Sequence, residues 1–155
     1  MYRLLAGLWL VVCACAADAQ LDRGTLQGIK AINVVVDPLD PPLEKIGLSK
    51  DGLRAQVEDR LRAAGIIVDR DAREFLGIRI TSVEARKGVF SLCFSEAVYQ
   101  PVLLARDQKV RTATQTWEVD SILVVPSKGL QLAATQQLEQ MADQFLTAFK
   151  SVNPQ

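Results

Sequence analysis

The stretch from Ser49 to Val68, SKDGLRAQVEDRLRAAGIIV, decides how the rest of the chain is read. Leu53, Val57, Leu61 and Ala64 recur at intervals of four, four and three, which lines one side of an α-helix with apolar side chains. Ser49 stands where a side-chain oxygen can accept from the free N–H groups of the first turn, and Asp51 suits the positive end of the helix dipole. Glu58 and Arg62 read as a favourable i,i+4 pair on the outer side. Gly65 supplies the left-handed residue that ends a helix, and Ile66-Ile67-Val68 begins a β-branched run. Helix, glycine and strand in that order form the joint of a βαβ-type unit.

Working outward, Ile29 to Asp37 (IKAINVVVD) reads as the strand before this helix, and Gln20 to Gly28 as a short polar lead. Between strand and helix, Asp37-Pro38-Leu39-Asp40-Pro41-Pro42 carries three prolines, which predicts a stiff connector that is neither helix nor central strand. Asp37, Asp40 and Glu44 do not form a calcium loop, because the glycine turn and terminal bidentate carboxylate of an EF-hand are missing.

Beyond Val68 the period changes to two. Phe75 to Ala85 sets Leu76, Ile78 and Ile80 against Gly77, Arg79 and Thr81; Phe90 to Arg106 sets Phe90, Leu92 and Phe94 against Ser91, Cys93 and Ser95. Pro101 lacks an N–H, so that strand either bulges there or lies at an edge. Val110 to Val119 alternates again, with Asp107-Gln108-Lys109 as the expected hairpin link. A long helix, Leu130 to Ser151, closes the chain with Ala134, Leu138, Met141, Phe145 and Ala148 along one stripe, and Asn153-Pro154 stops it. The expected fold is α+β: two helices packed on one face of a four- to five-stranded, mostly antiparallel sheet, in the order β-α-β-β-β-β-α.

The N-terminus reads as an address. Arg3, the apolar run Leu4 to Val12 and the small residues ending in Ala17-Asp18-Ala19 have the order of a secretory signal peptide over residues 1–19, cut between Ala19 and Gln20. Cys13 and Cys15 leave a second reading open, in which Cys15 is the lipidated residue of a bacterial lipoprotein. Either outcome places residues 20–155 outside the cytoplasm, periplasmic or secreted, as a single domain. The apolar run is shorter than the roughly 20 residues of a membrane span, and no later stretch is long and apolar enough to supply one. Residues 20–155 retain seventeen basic and seventeen acidic residues, a balance that argues against a nucleic-acid partner. Their lone cysteine, Cys93, cannot close an internal disulfide; among strand neighbours it reads as a small, half-buried packing residue, although exposure would make it a risk for intermolecular pairing.

The chain contains no histidine, which removes Ser–His and Cys–His catalysis and histidine-built metal sites together. No glycine-rich phosphate loop is present, and no cofactor or metal is expected. Ser49-Lys50 and Ser127-Lys128 are formal Ser–Lys pairs, but adjacent side chains diverge on a helix or strand. Two helices can cover only one face of the sheet. If the Leu76 and Leu92 sets face the helices, the open face carries Arg79, Thr81, Ser91, Cys93, Ser95, Tyr99, Gln115 and Trp117, a mixture suited to protein recognition. Trp117 has a second reading, as a core residue or one packed beneath Ile122 to Val125.

The joint Leu61-Arg62-Ala63-Ala64-Gly65-Ile66, the strand Ala113–Trp117 and the ending Asp143-Gln144-Phe145 with Val152-Asn153-Pro154 resemble an uncharacterised family of small exported bacterial proteins. The element order is also similar in topology to the LPS-assembly lipoprotein and to the N-terminal domain of the Tol–Pal β-propeller protein. These likenesses imply a fold and carry over no functional residue. The expectation is a non-catalytic envelope accessory protein that binds another envelope protein, with a lipid or small-molecule carrier, or a Ser–Lys hydrolase, as alternatives.

Overall fold

In the computed structural model, which describes residues 20–154, the elements run α1 (Gln20–Gly24), β1 (Ala31–Val36), α2 (Pro41–Lys45), α3 (Lys50–Ala63), β2 (Ile67–Val68), β3 (Phe75–Arg86), β4 (Val89–Leu104), β5 (Asp107–Pro126) and α4 (Leu130–Val152). The leader reading of residues 1–19, including Cys15 and Ala19, lies outside the described residues. The strands form one sheet in the order β2-β1-β3-β4-β5. β1 is parallel to both neighbours, while β3, β4 and β5 form a long antiparallel meander. The α+β architecture expected from the sequence is the one observed.

Local chemistry sets the ends of the elements. The Ser49 Oγ accepts from the Gly52 N–H at 3.1 Å, and Gly65 takes φ 86° where α3 gives way to β2. Leu53, Val57 and Leu61 are buried on α3, and Leu130, Ala134, Leu138, Met141, Phe145 and Ala148 on α4. Both helices pack on the sheet face that carries Ile78, Ile80, Leu92 and Phe94. Arg60 grips Asp143 through two hydrogen bonds of 2.7 and 2.5 Å, and Gln56 donates to Glu139 at 2.9 Å, joining the helices along their seam. At the C-terminus of α4, the Asn153 amide donates to the Leu26 and Phe149 carbonyls and accepts from the Gly28 N–H. That one side chain ties the start of the described chain to its end.

Several local expectations are corrected. The connector prolines do not exclude a helix: Pro41 and Pro42 occupy the first turn of α2, where an N–H has no intrahelical partner to lose. The polar lead contains α1, and Leu26 just after it is fully buried. Glu58 is buried rather than outside, beneath Arg62 at 2.8 Å and Arg54 at 3.8 Å. The hairpin turns at Ala105-Arg106, so Asp107 to Lys109 belong to β5, and Ile122 to Val125 continue that strand. The edge reading of Pro101, by contrast, holds: it lies past the start of the β3 ladder at Phe75–Tyr99, where β4 has β5 alone beside it and a missing donor is tolerated.

Candidate functional site

Helices cover one face of the sheet; among the described residues the other carries no helix. Register places its side chains in rows: Gly77–Ala97–Glu118, Arg79–Ser95–Asp120, Thr81–Cys93–Ile122 and Val83–Ser91–Val124. The central strand therefore contributes only Ser91, Cys93, Ser95 and the buried Ala97, all small, and apart from Gly77 their neighbours on β3 and β5 are larger. This arrangement makes a trough along β4, about 20 Å long at roughly 3.4 Å per residue. At one end stand Val83, Ile122 and Val124, which are 64%, 69% and 68% exposed. At the other end the trough is closed by Tyr99, stacked on Phe75 with ring centroids 4.8 Å apart and planes 9° from parallel. Two shallow depressions of about 270 and 280 Å³ lie in it and share Arg79 and Ser95.

The polar groups of the face are held in place. Arg79 Nε donates to Asp37 at 2.8 Å, which holds the guanidinium still more firmly in its charged form. Asp40 accepts from the Ser82 N–H at 2.6 Å and the Ser82 hydroxyl at 3.2 Å, so the connector after β1 covers the edge of β3. The Asp37 and Asp40 carboxylates are thus engaged with protein groups. Tyr99 Oη donates to Gln115 at 3.4 Å, and Gln115 in turn donates to Glu118. Gly77 makes the aromatic platform possible: a Cβ there would lie 2.9 Å from Tyr99 Cε2.

Of the residues singled out in the sequence, Arg79, Thr81, Tyr99 and Gln115 share the open face. Trp117 does not. It is 1% exposed and meets Phe145 of α4 edge-on, with centroids 5.4 Å apart. The cause is a bulge. Val98 pairs with Trp117 but Tyr99 pairs with Gln115, so Thr116 is an extra residue in β5. Gln115 and Trp117, which strict alternation would place together, are sent to opposite faces. The spare Thr116 carbonyl accepts from the Thr25 hydroxyl at 3.1 Å. Cys93 is exposed, not half-buried, because its row lies on the uncovered face. Val83, Ile122 and Val124 were not singled out; the apolar run at 122–125 hid a regular alternation, with Ile122 and Val124 outward and Leu123 and Val125 packed against the core.

The formal Ser–Lys pairs do not converge. Ser49 serves as the α3 cap, and Ser127 opens a 3-10 turn whose N–H donates to the Gly88 carbonyl. Glu96 is an unusual acid: it points to the helix face between Ile78 and Val119, is fully buried, and neither carboxyl oxygen has a hydrogen-bond partner. Burial pushes its carboxyl up to about 8. A signal existed, since Glu96 continues the inward series Leu92, Phe94 and Val98. Among the described residues no group of three or more metal-ligating side chains comes together, and no helix is long and apolar enough to cross a membrane.

No family model matches the chain, and no curated protein does. Among solved structures, the PelC dodecamer from Paraburkholderia phytofirmans is similar at 14% identity, over 79% of this chain and 86% of that one, with a TM-score of 0.41. A minor lipoprotein from Acinetobacter baumannii is similar at 12% identity, over 81% and 93%, with a TM-score of 0.41. Rare lipoprotein B from Shewanella oneidensis is similar at 13% identity, over 79% and 96%, with a TM-score of 0.38. Likenesses this distant assign no role to the chain.

Proposed function

We propose that the chain is an exported, non-catalytic envelope accessory protein that holds another protein against the open face of its sheet. The observation that carries this reading is the trough over Ser91, Cys93, Ser95 and Ala97, with Val83, Ile122 and Val124 exposed beside it. An apolar cluster next to a fixed ion pair and an aromatic platform matches the anatomy of a recognition surface, in which apolar anchors are ringed by polar groups. The partner presents an extended or helical apolar segment to the trough and a charged group to the Arg79–Asp37 pair. The leader reading of residues 1–19, which sends residues 20–155 out of the cytoplasm, supports an envelope partner, with lipidation at Cys15 as the variant of the same address. No cofactor enters this role. The carrier and Ser–Lys alternatives draw no support from the geometry: Trp117, Phe145, Leu138 and Leu92 fill the space between α4 and the sheet, and the two serines have structural duties.

Cys93 lies in the trough and is the sole cysteine beyond residue 19, so a thiol-directed photocrosslinker reports directly on the site. Crosslinking in envelope extracts should capture a discrete protein, and Ile122→Asp with Val124→Asp should abolish the capture while the fold persists. Capture unaffected by those substitutions, or turnover of a substrate by the purified protein, would end this reading. Intact mass of the exported protein distinguishes cleavage after Ala19 from acylation at Cys15.

A further inference from the structure

Past Tyr99 the β4–β5 hairpin runs beyond the end of β3 as a two-stranded arm, residues 100–114, in which no side chain is buried. Arms of this kind gain little from the core that supports the rest of the sheet, so a long one carrying apolar side chains needs a reason. Here Leu103 is 54% and Val110 43% exposed, near the Ala105-Arg106 turn. The arm also carries Arg106, Lys109 and Arg111 against the single acid Asp107, in a chain whose formal net charge is zero. None of the three cations has an ion-pair partner among the described residues. Asp107 is occupied locally, accepting from the Lys109 N–H at 3.0 Å.

Register pairs Leu103 with Arg111, so an apolar side chain and a cation share one side of the arm. They line a shallow depression of about 270 Å³ with Arg73, Glu74, Pro101 and Val102. Arg73 is likewise exposed and unpaired among the described residues. Two guanidinium groups thus border a depression that Glu74 and the apolar Pro101, Val102 and Leu103 also line, and the remaining cations lie at the tip.

We propose that this arm docks on an anionic phospholipid surface, with headgroup phosphates taken between Arg73 and Arg111 and at Arg106 and Lys109, and with Leu103 and Val110 entering the headgroup boundary. Exposed apolar residues interleaved with unpaired cations are the composition of an interfacial anchor, and the excess of cations on the arm is complementary to an anionic headgroup layer. The arm lies outside the trough, so the inference holds whichever protein the open face receives.

Vesicle co-sedimentation tests it, using residues 20–155, the exported domain, so that neither the apolar leader nor an acyl chain contributes. Binding is expected to vesicles containing phosphatidylglycerol, not to phosphatidylcholine alone, and should weaken as salt is raised. At roughly fivefold per cation removed, even neutralising three costs about a hundredfold, so the reversal Arg106→Glu, Lys109→Glu and Arg111→Glu should lower affinity by at least that much. Lys45→Glu with Lys50→Glu, far along the chain from the arm, should leave it unchanged, and Leu103→Ser with Val110→Ser should weaken it with the cations intact. Circular dichroism confirms that each variant is folded. Equal binding to neutral vesicles, indifference to the arm reversal, inorganic phosphate bound without any vesicle binding, or selective capture of an acidic soluble protein in place of vesicles would each overturn the proposal.

Discussion

Glu96 makes the stability of this protein depend on pH in a direction opposite to that of ordinary paired carboxylates. Its side chain is fully buried between Ile78 and Val119, and neither oxygen finds a donor. The folded protein holds the proton until about pH 8, whereas the unfolded chain releases it near the ordinary value of 4.5. Between those values unfolding liberates a proton, so raising the pH favours the unfolded state. The stability associated with this group is complete below about 4.5, declines steadily above it, and is lost by about 8. At about 1.4 kcal/mol per pH unit the whole interval is worth about 5 kcal/mol, and some 3 kcal/mol is already gone at neutrality. That is a large part of the roughly 5–15 kcal/mol that holds a typical domain together. Glu96→Gln keeps the size and the unmet hydrogen-bonding demand but removes the titration. In urea unfolding followed by circular dichroism, the variant should match the parent in mild acid and exceed it by about 5 kcal/mol above pH 8. At about 2 kcal/mol per molar urea, its midpoint there should lie about 2.5 M higher. Parallel pH profiles for the two proteins would show that the carboxyl is ionised and satisfied when folded, and would refute the reasoning.

Three further outcomes follow from the same geometry. Trp117→Ala should cost about 3–5 kcal/mol, because it removes the largest buried side chain and its contact with Phe145; chemical denaturation measures it, and a loss below about 1 kcal/mol would place the indole outside the core. Gly77→Ala should destabilise by about 1 kcal/mol by driving Tyr99 off Phe75, and the penalty should shrink in a Tyr99→Ala background; additive losses would contradict the 2.9 Å approach. The Arg60–Asp143 grip is largely solvent-exposed, so a double-mutant cycle should return only about 0.5–1 kcal/mol of coupling, lost in acid as Asp143 protonates below the usual carboxylate range.

What the sequence determined by itself were the features encoded by neighbours a few residues apart. The α3 stripe with its Ser49 cap and Gly65 stop, the α4 stripe ending at Asn153, and the alternation along Phe75–Thr81 and Phe90–Ser95 all follow from periods of 3.6 or two and from local hydrogen bonding. From these came the two-helix, five-strand plan and seven of the eight residues expected on the open face, Trp117 being the exception. Tertiary structure alone decided the rest, because the deciding partners lie far away in sequence. One extra residue at Thr116 reverses the faces of β5, and the reversal is visible only in its pairing with Val98 and Tyr99; it sends Trp117 into the core. Asp40, just ahead of the Pro41-Pro42 turn, is anchored to Ser82, forty-two residues on, which fixes where the connector lies against β3. The trough exists because three strands bring small and large side chains into register, and the exposed arm because β4 and β5 outrun β3. Periodicity along one strand fixes which side chains alternate; only the neighbouring strand and the covering helix select which set meets solvent.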